Sequence, residues 1–376
     1  MPEPSLPSQK AANFSHSANF ADILSEFGCS LLASTYQAGQ LCAFGTHEGK
    51  LHVELQPYQL AMGIAVSPRH VAVGTRGTIW QLDSAGRSVA SGLEPAGRYD
   101  AALLPRTAHL SGNIHCHEMA YINDQLWVVN TLFSCLATIE PGYSFVPRWK
   151  PHFISDCHQP GDRCHLNGMA ADGGEPRYVT AMAETDSPNA WRENKHETGV
   201  LIDVASNEVV CRGFAMPHSP RVYDGRVWVL DSGRGALMVV DPATGQRDTV
   251  TVFPGYTRGL SFWGPLAFVG LSRIRETSVF GGLPIANQKA DLKCGIGVVD
   301  LRTGQQIAAF QFTSGVEEIF AVEVLPRVRC AAIRAPGTSL HETEESEIWV
   351  APPPTGDWNR RETISSDNRV PICTVN

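Results

Sequence analysis

Ile114-His115-Cys116-His117-Glu118-Met119-Ala120, Arg163-Cys164-His165-Leu166-Asn167-Gly168-Met169-Ala170 and Met216-Pro217-His218-Ser219-Pro220-Arg221 each run into an apolar or strand-like stretch. Aligned on those stretches, His117, Asn167 and His218 fall 50 and 51 residues apart. A polar, metal-competent residue returning at a fixed place in such a repeat predicts a β-propeller. In that fold, equivalent positions of successive blades converge on one axis.

The same register extends in both directions. Innermost strands are expected to begin near Met62, His117, Asn167, His218, Thr257 and Glu317, in steps of 55, 50, 51, 39 and 60 residues. The uneven steps mark a degenerate repeat with insertions in its loops. Trp127 and Trp228 each follow their histidine by 10 residues and mark second strands. Val239-Val240-Asp241-Pro242-Ala243-Thr244-Gly245 resembles Val298-Val299-Asp300-Leu301-Arg302-Thr303-Gly304, a strand entering a turn where Asp bonds the backbone and Gly accepts positive φ.

Strand-like runs at 31–36, 41–44 and 51–55 precede the first inner strand. They are expected to complete the last blade and close the ring, which removes exposed sheet edges. The expected architecture is all-β, a six-bladed β-propeller closed by N-terminal strands, over residues 20–335. Residues 1–19 read as a disordered leader and 21–27 as a short helix. Residues 336–376, with Pro352-Pro353-Pro354, read as an extension that packs outside or trails off.

Composition narrows the class. With 376 residues, 43% of them apolar, the chain can bury a large core, and its 34 glycines and 25 prolines suit many short strands joined by turns. A net charge of −8 without a basic run argues against nucleic acid. The first 20 residues lack the basic and apolar regions of a signal peptide, and no apolar run approaches a membrane span. Ten cysteines in such a chain read as reduced thiols of a cytoplasmic protein.

The candidate chemistry follows from the repeat. Strand alternation puts His115 and His117 on one face and Glu118 on the other. His165 and Asn167 repeat that phase one blade later, and His218 matches His117. Neutral imidazoles suit a divalent transition metal such as Zn, Fe or Cu, and three of them leave a position for an acidified water. His117, His165 and His218 are therefore the expected ligands, with His115 as alternate ligand or acid/base and Glu317 or Glu318 as base. Asn167, Arg221 and Arg258 are expected to hold substrate, as are Arg273 and Arg275 on one strand face, because arginine forks bind carboxylate, sulfate or phosphate. The competing reading is that the histidines bind only water and the arginines pair with acids between blades.

Other motifs are weaker. Cys157-His158 and Cys164-His165 look like half of a metal knuckle and match no standard zinc spacing. The polar stretch 184–189 before Trp191 reads as a candidate lid. A Gly-rich phosphate loop is missing, so no nucleotide cofactor is expected.

At these motifs the chain resembles the TIGR03032 family of uncharacterised bacterial proteins, related to a domain of unknown function (DUF4915). The strings that carry the resemblance include Ser34-Thr35-Tyr36-Gln37-Ala38-Gly39, Ser144-Phe145-Val146-Pro147-Arg148-Trp149, Asp162-Arg163-Cys164-His165-Leu166-Asn167-Gly168 and Leu230-Asp231-Ser232-Gly233. The resemblance implies no activity. In fold the pattern is similar to six-bladed propellers of the gluconolactonase, strictosidine synthase and peptidyl-hydroxyglycine lyase kind. The acidic-and-amide calcium set of the lactonases is not reproduced, and the lyase's three-histidine zinc arrangement is nearer. The expected function is a metal-dependent lyase or hydrolase acting on a small anionic substrate. The alternative is a non-catalytic propeller that binds a peptide or small anionic metabolite.

Overall fold

The computed structural model describes residues 12–274 and 281–336. Six antiparallel sheets form the six blades of a propeller. Their inner strands are Ile64–Val66, Cys116–Ile122, Leu166–Asp172, Pro217–Tyr223, Tyr256–Trp263 and Ala321–Pro326, for blades 1 to 6. Each inner strand packs against the next, and the sixth against the first, so the ring is closed.

Closure is made by the two ends of the domain. Ala321–Pro326 pairs with Cys29–Thr35, which pairs with Gln40–His47, and that strand pairs in turn with Lys50–Pro57. The last blade is thus one C-terminal strand and three N-terminal ones. The sixth inner strand begins at Ala321 rather than at Glu317, and Glu317–Phe320 is the loop that leads into it.

Two further strands extend blades at the rim. Asn13–His16 adds antiparallel to Gln305–Ser314, so these four residues of the expected disordered leader at 1–19 form a strand; residues 1–11 lie outside the described residues. Ala331–Ile333 adds parallel to Ala101–Leu110 on blade 1. Of the expected extension at 336–376, everything after 336 lies outside the described residues. The short helix is present as Phe20–Glu26.

The core is a set of clusters between neighbouring blades. Along Cys29–Thr35 successive side chains point to opposite faces, so Leu31 and Ala33 pack toward blade 5 while Leu32 packs toward blade 1. Both faces are covered, and all seven residues are buried, as in Leu266–Ser272 and Cys294–Asp300. Outer strands such as Lys50–Pro57 lack a covered second face and lose that burial.

Hydroxyl groups at the ends of second strands latch one blade to the next. Ser34 Oγ donates to the Met62 carbonyl, Thr131 Oγ1 to that of Leu166 at 2.5 Å, and Ser272 Oγ to that of Ile319 at 3.0 Å. These bonds give buried carbonyls a partner from the neighbouring blade, where an unpaired group would be costly.

Four inner strands carry an irregularity at their start. His117-Glu118 lies opposite Val129 alone, Ser219-Pro220 opposite Val229, and Arg258-Gly259 opposite Gly270, while Asn167 is the extra residue of blade 3. These β-bulges re-aim side chains at the channel mouth. Gly259 has φ +82, and a Cβ there would lie 2.8 Å from the Ala321 carbonyl carbon. Gly270, facing that bulge, is also closely approached. A methyl on it would land on the Arg258 carbonyl oxygen and 2.7 Å from Ile319 Cγ2. Gly270→Ala should therefore cost about 1–3 kcal/mol through overpacking. Urea unfolding measures this, and an unchanged midpoint would show that the strands part without strain.

Candidate functional site

The bulges gather polar side chains around a cavity at the centre of the ring. Its walls include His117 and Glu118 of blade 2, Asn167 of blade 3, His218 and Arg221 of blade 4, Arg258 of blade 5, and Phe320 and Glu323 of blade 6. It has room for about one water molecule. Strict alternation is broken here. His117 and Glu118, adjacent in sequence and expected on opposite faces, both reach this cavity because the two together form the bulge.

The three expected ligands share one feature. His117 Nδ1 lies 3.0 Å from the His115 carbonyl, and His218 Nδ1 lies 3.0 Å from the Met216 carbonyl and 2.9 Å from Ser232 Oγ. His165 Nδ1 meets the Asp162 carboxylate at 2.9 and 3.0 Å. Each ring thereby directs Nδ1–H to an acceptor, which fixes the tautomer with a lone pair on Nε2. None of the three Nε2 atoms makes a hydrogen bond to a described residue.

The anchoring depends on backbone geometry. His115, His165 and Met216, each one residue before its inner strand, have φ of 52, 51 and 52°. That left-handed turn brings the carbonyls of His115 and Met216 under the rings two residues on. The His117 and His165 rings meet edge to face with centroids 4.8 Å apart.

Electrostatics keep two of the rings neutral. Burial holds His117 and His218 well below the ordinary imidazole range, and the Arg258 charge and the His165 ring lower both further. Behind His165 stand groups that sequence reading missed. Asp162 is buried and accepts a bond from Trp191 Nε1 at 3.2 Å, while His165 stacks against the Trp191 ring at 4.2 Å. Burial alone would raise the Asp162 carboxyl, but His165 and the Trp191 N–H outweigh it and hold it low. Trp191 is 1% exposed, so the stretch read as a candidate lid is docked at this tryptophan.

The two mouth arginines differ. Arg221, expected to hold an anion, lies between two carboxylates instead. It pairs with Glu118 and, at 3.2 Å, with Glu323. Glu118 Oε2 also accepts from Met169 N at 2.9 Å, and Glu323 Oε2 from Ser261 Oγ at 3.1 Å. This clasp crosses the channel and ties blades 2, 3, 4, 5 and 6 together.

Arg258, by contrast, is incompletely engaged. Its Nη1 lies 3.5 Å from Glu318 and its guanidinium stacks 3.3 Å over the Phe320 ring, but buried Nη2 has no hydrogen-bond partner. Buried Asn167 Nδ2 is unpartnered as well, although its Oδ1 accepts from Thr180 Oγ1 at 2.7 Å. Buried donors are rarely left so unless a water, ion or ligand satisfies them.

The other expected residues fall outside the cavity walls. His115 is half-buried, with burial lowering its imidazole and Asp162 partly offsetting that. Glu318 reaches the site through Arg258, whereas Glu317 is exposed and its carbonyl accepts from Arg273 N. Arg273 follows the strand Leu266–Ser272 rather than standing on one strand face with Arg275; Arg275 lies outside the described residues. Cys157 and Cys164 are buried free thiols. Among the described residues no group of three or more His, Cys, Asp or Glu side chains is arranged to hold a metal ion.

The chain belongs to the family described as Domain of unknown function (DUF4915), which matches residues 18–333. No curated protein matches it. Among solved structures, a chain of the nidogen/laminin complex is similar over 80% of this chain and 98% of its own, at 10% identity and a TM-score of 0.50. That likeness shows the propeller fold alone. The computationally designed Ika8 protein is similar over 77% of this chain and 83% of its own, at 12% identity and a TM-score of 0.37. Among the described residues no helix is long and apolar enough to cross a membrane.

Two consequences of the clasp can be measured. Arg221→Met leaves two buried carboxylates without their cation and should cost about 3–5 kcal/mol in urea unfolding. The pH dependence has a definite sign. Burial, with the neighbouring Glu118 adding and Arg221 opposing, raises the Glu323 carboxyl from 4.5 to about 7. Its stabilising contribution is complete below 4.5 and is lost as pH rises through about 7. The buried imidazoles act the other way, losing stability as pH falls below 6.5. Glu323→Gln should flatten the alkaline-side loss between pH 5 and 8 and leave the acid-side loss in place. An unchanged difference curve would assign the alkaline loss elsewhere.

Proposed function

We propose that the protein acts on a small anionic molecule at the mouth of its central channel, as a hydrolase or lyase. One observation carries this reading: Arg258 Nη2 is a buried, unpartnered cationic donor beside two imidazoles kept neutral by burial. The donor can hold an anionic group, and a neutral imidazole can accept a proton from a bound water or substrate. Glu318, next to Arg258, is the carboxylate best placed to assist. Among the described residues nine cysteines are buried and free, which supports a cytoplasmic setting. The strings at 34–39, 144–149 and 162–168 support a reading of the chain as similar to the TIGR03032 proteins.

A second reading adds a divalent transition metal held by Nε2 of His117, His165 and His218. It is favoured by the Nδ1 anchoring of all three rings, the arrangement that orients metal-bound histidines. The Arg258 charge beside the rings opposes it, as does the lack of an assembled ligand group among the described residues.

Two measurements separate the possibilities. Metal analysis of untagged protein should find about one equivalent under the metal reading, lost in a His117→Ala/His218→Ala variant; trace metal unaffected by that variant sinks it. For the catalytic reading, His218→Ala should lower turnover of a small anionic ester or amide about 10²–10⁴-fold. Binding of such molecules without turnover by the parent protein would make the propeller a binding module.

A further inference from the structure

We propose that Arg258 and Asn167 form a subsite for the carboxylate of a small monoanion. The inference rests on the anionic-ligand reading above and narrows it to one chemical class. Arg258 is 9% exposed and Asn167 3%, and each presents an unpartnered nitrogen in the wall of the same cavity. They stand on blades 3 and 5, with blade 4 between them. Both offered groups are donors, so the missing partner is an acceptor.

Charge restricts the class further. A cation at this point would face the Arg258 guanidinium. A dianion would stand over a clasp that already holds two carboxylates, Glu118 and Glu323, on one arginine. Glu318 meets Arg258 from its other side. A single negative charge is the load that leaves neither group opposed.

Shape decides between monoanions and bulkier oxyanions. The cavity takes about one water-sized atom, and the Phe320 ring and His117 border it. A carboxylate is flat, so one oxygen can enter between the two donors while the rest of the molecule lies toward the mouth. Tetrahedral sulfate or phosphate carries three further oxygens around that one and is bulkier beside the bordering Phe320 ring and His117. The fixed Thr180–Asn167 bond and the stacking on Phe320 hold the two donors in place before a ligand arrives.

Thermal unfolding of the full chain, titrated with sodium formate, acetate, sulfate or phosphate at matched ionic strength, tests the assignment. Formate or acetate should raise the midpoint saturably, and sulfate and phosphate should not. Asn167→Asp keeps the side-chain shape and can keep the Thr180 bond, but sets a carboxylate where the donor was. It should weaken formate binding at least tenfold. Arg258→Lys serves as the second variant and should weaken it likewise, with circular dichroism checking that both fold. Equal shifts from sulfate or phosphate would overturn the carboxylate class while leaving an anion site. Saturable formate binding that neither folded variant weakens would overturn the location. No saturable shift from any anion would overturn this inference together with the reading beneath it.

Discussion

Arg221, gripped by Glu118 and Glu323 across the channel, is the interaction on which the site depends. A buried ion pair of this kind contributes little net stability, because desolvating three charges offsets most of their attraction. Its effect here is geometric. The three residues come from blades 2, 4 and 6, and the bonds to Met169 N and Ser261 Oγ bring in blades 3 and 5. One blade slipping against its neighbours would leave a carboxylate or a guanidinium buried alone. The clasp thereby holds the inner strands in one register, and the mouth residues are aimed from those strands.

The contrast between Arg221 and Arg258 separates structure from function within a single cavity. Both belong to inner strands and both are buried by their surroundings. Arg221 is saturated by two carboxylates and by the Pro220 carbonyl at 2.8 Å. Arg258 has one carboxylate at 3.5 Å, an aromatic face, and an open nitrogen. A polar group whose bonds are complete holds a fold together. One whose bonds are incomplete, in a rigid setting, is available to a ligand.

The repeat was legible because each blade must bury two faces and return its chain to the axis. That requirement sets the spacing of His117, Asn167 and His218, the tryptophans of the second strands and the Asp-turn-Gly endings. What escaped had local causes. Alternation predicts that adjacent strand residues face apart, and the bulge at His117-Glu118 defeats it by adding a residue the ladder does not count. Glu323 sits in Ala321-Val322-Glu323-Val324-Leu325-Pro326, where a charged residue between valines in an inner strand was an available signal. Ser272-Arg273-Ile274-Arg275 alternates as a strand would, but the strand ends at Ser272, where Arg273 N turns to the Glu317 carbonyl. Asp162 and Trp191 support His165 from a loop and an insertion, and no periodicity records such contacts.

Burial first, and the charges around the cavity second, lower the His117 and His218 imidazoles and raise the Glu323 carboxyl. Two guanidinium groups, Arg221 and Arg258, face three carboxylates, Glu118, Glu323 and Glu318. Burial is the main cause of the upward shift of Glu323 toward about 7, with Arg221 opposing it and the Glu118 carboxylate adding to it. Protonating a ring would instead place a third cation beside Arg258, which is why that charge lowers both His117 and His218. The mouth thus combines acceptor lone pairs on the imidazoles with spare donors on Arg258 and Asn167. A site built this way distinguishes its ligand by the placement of donors and acceptors, with the Arg258 charge setting the sign of the group it holds.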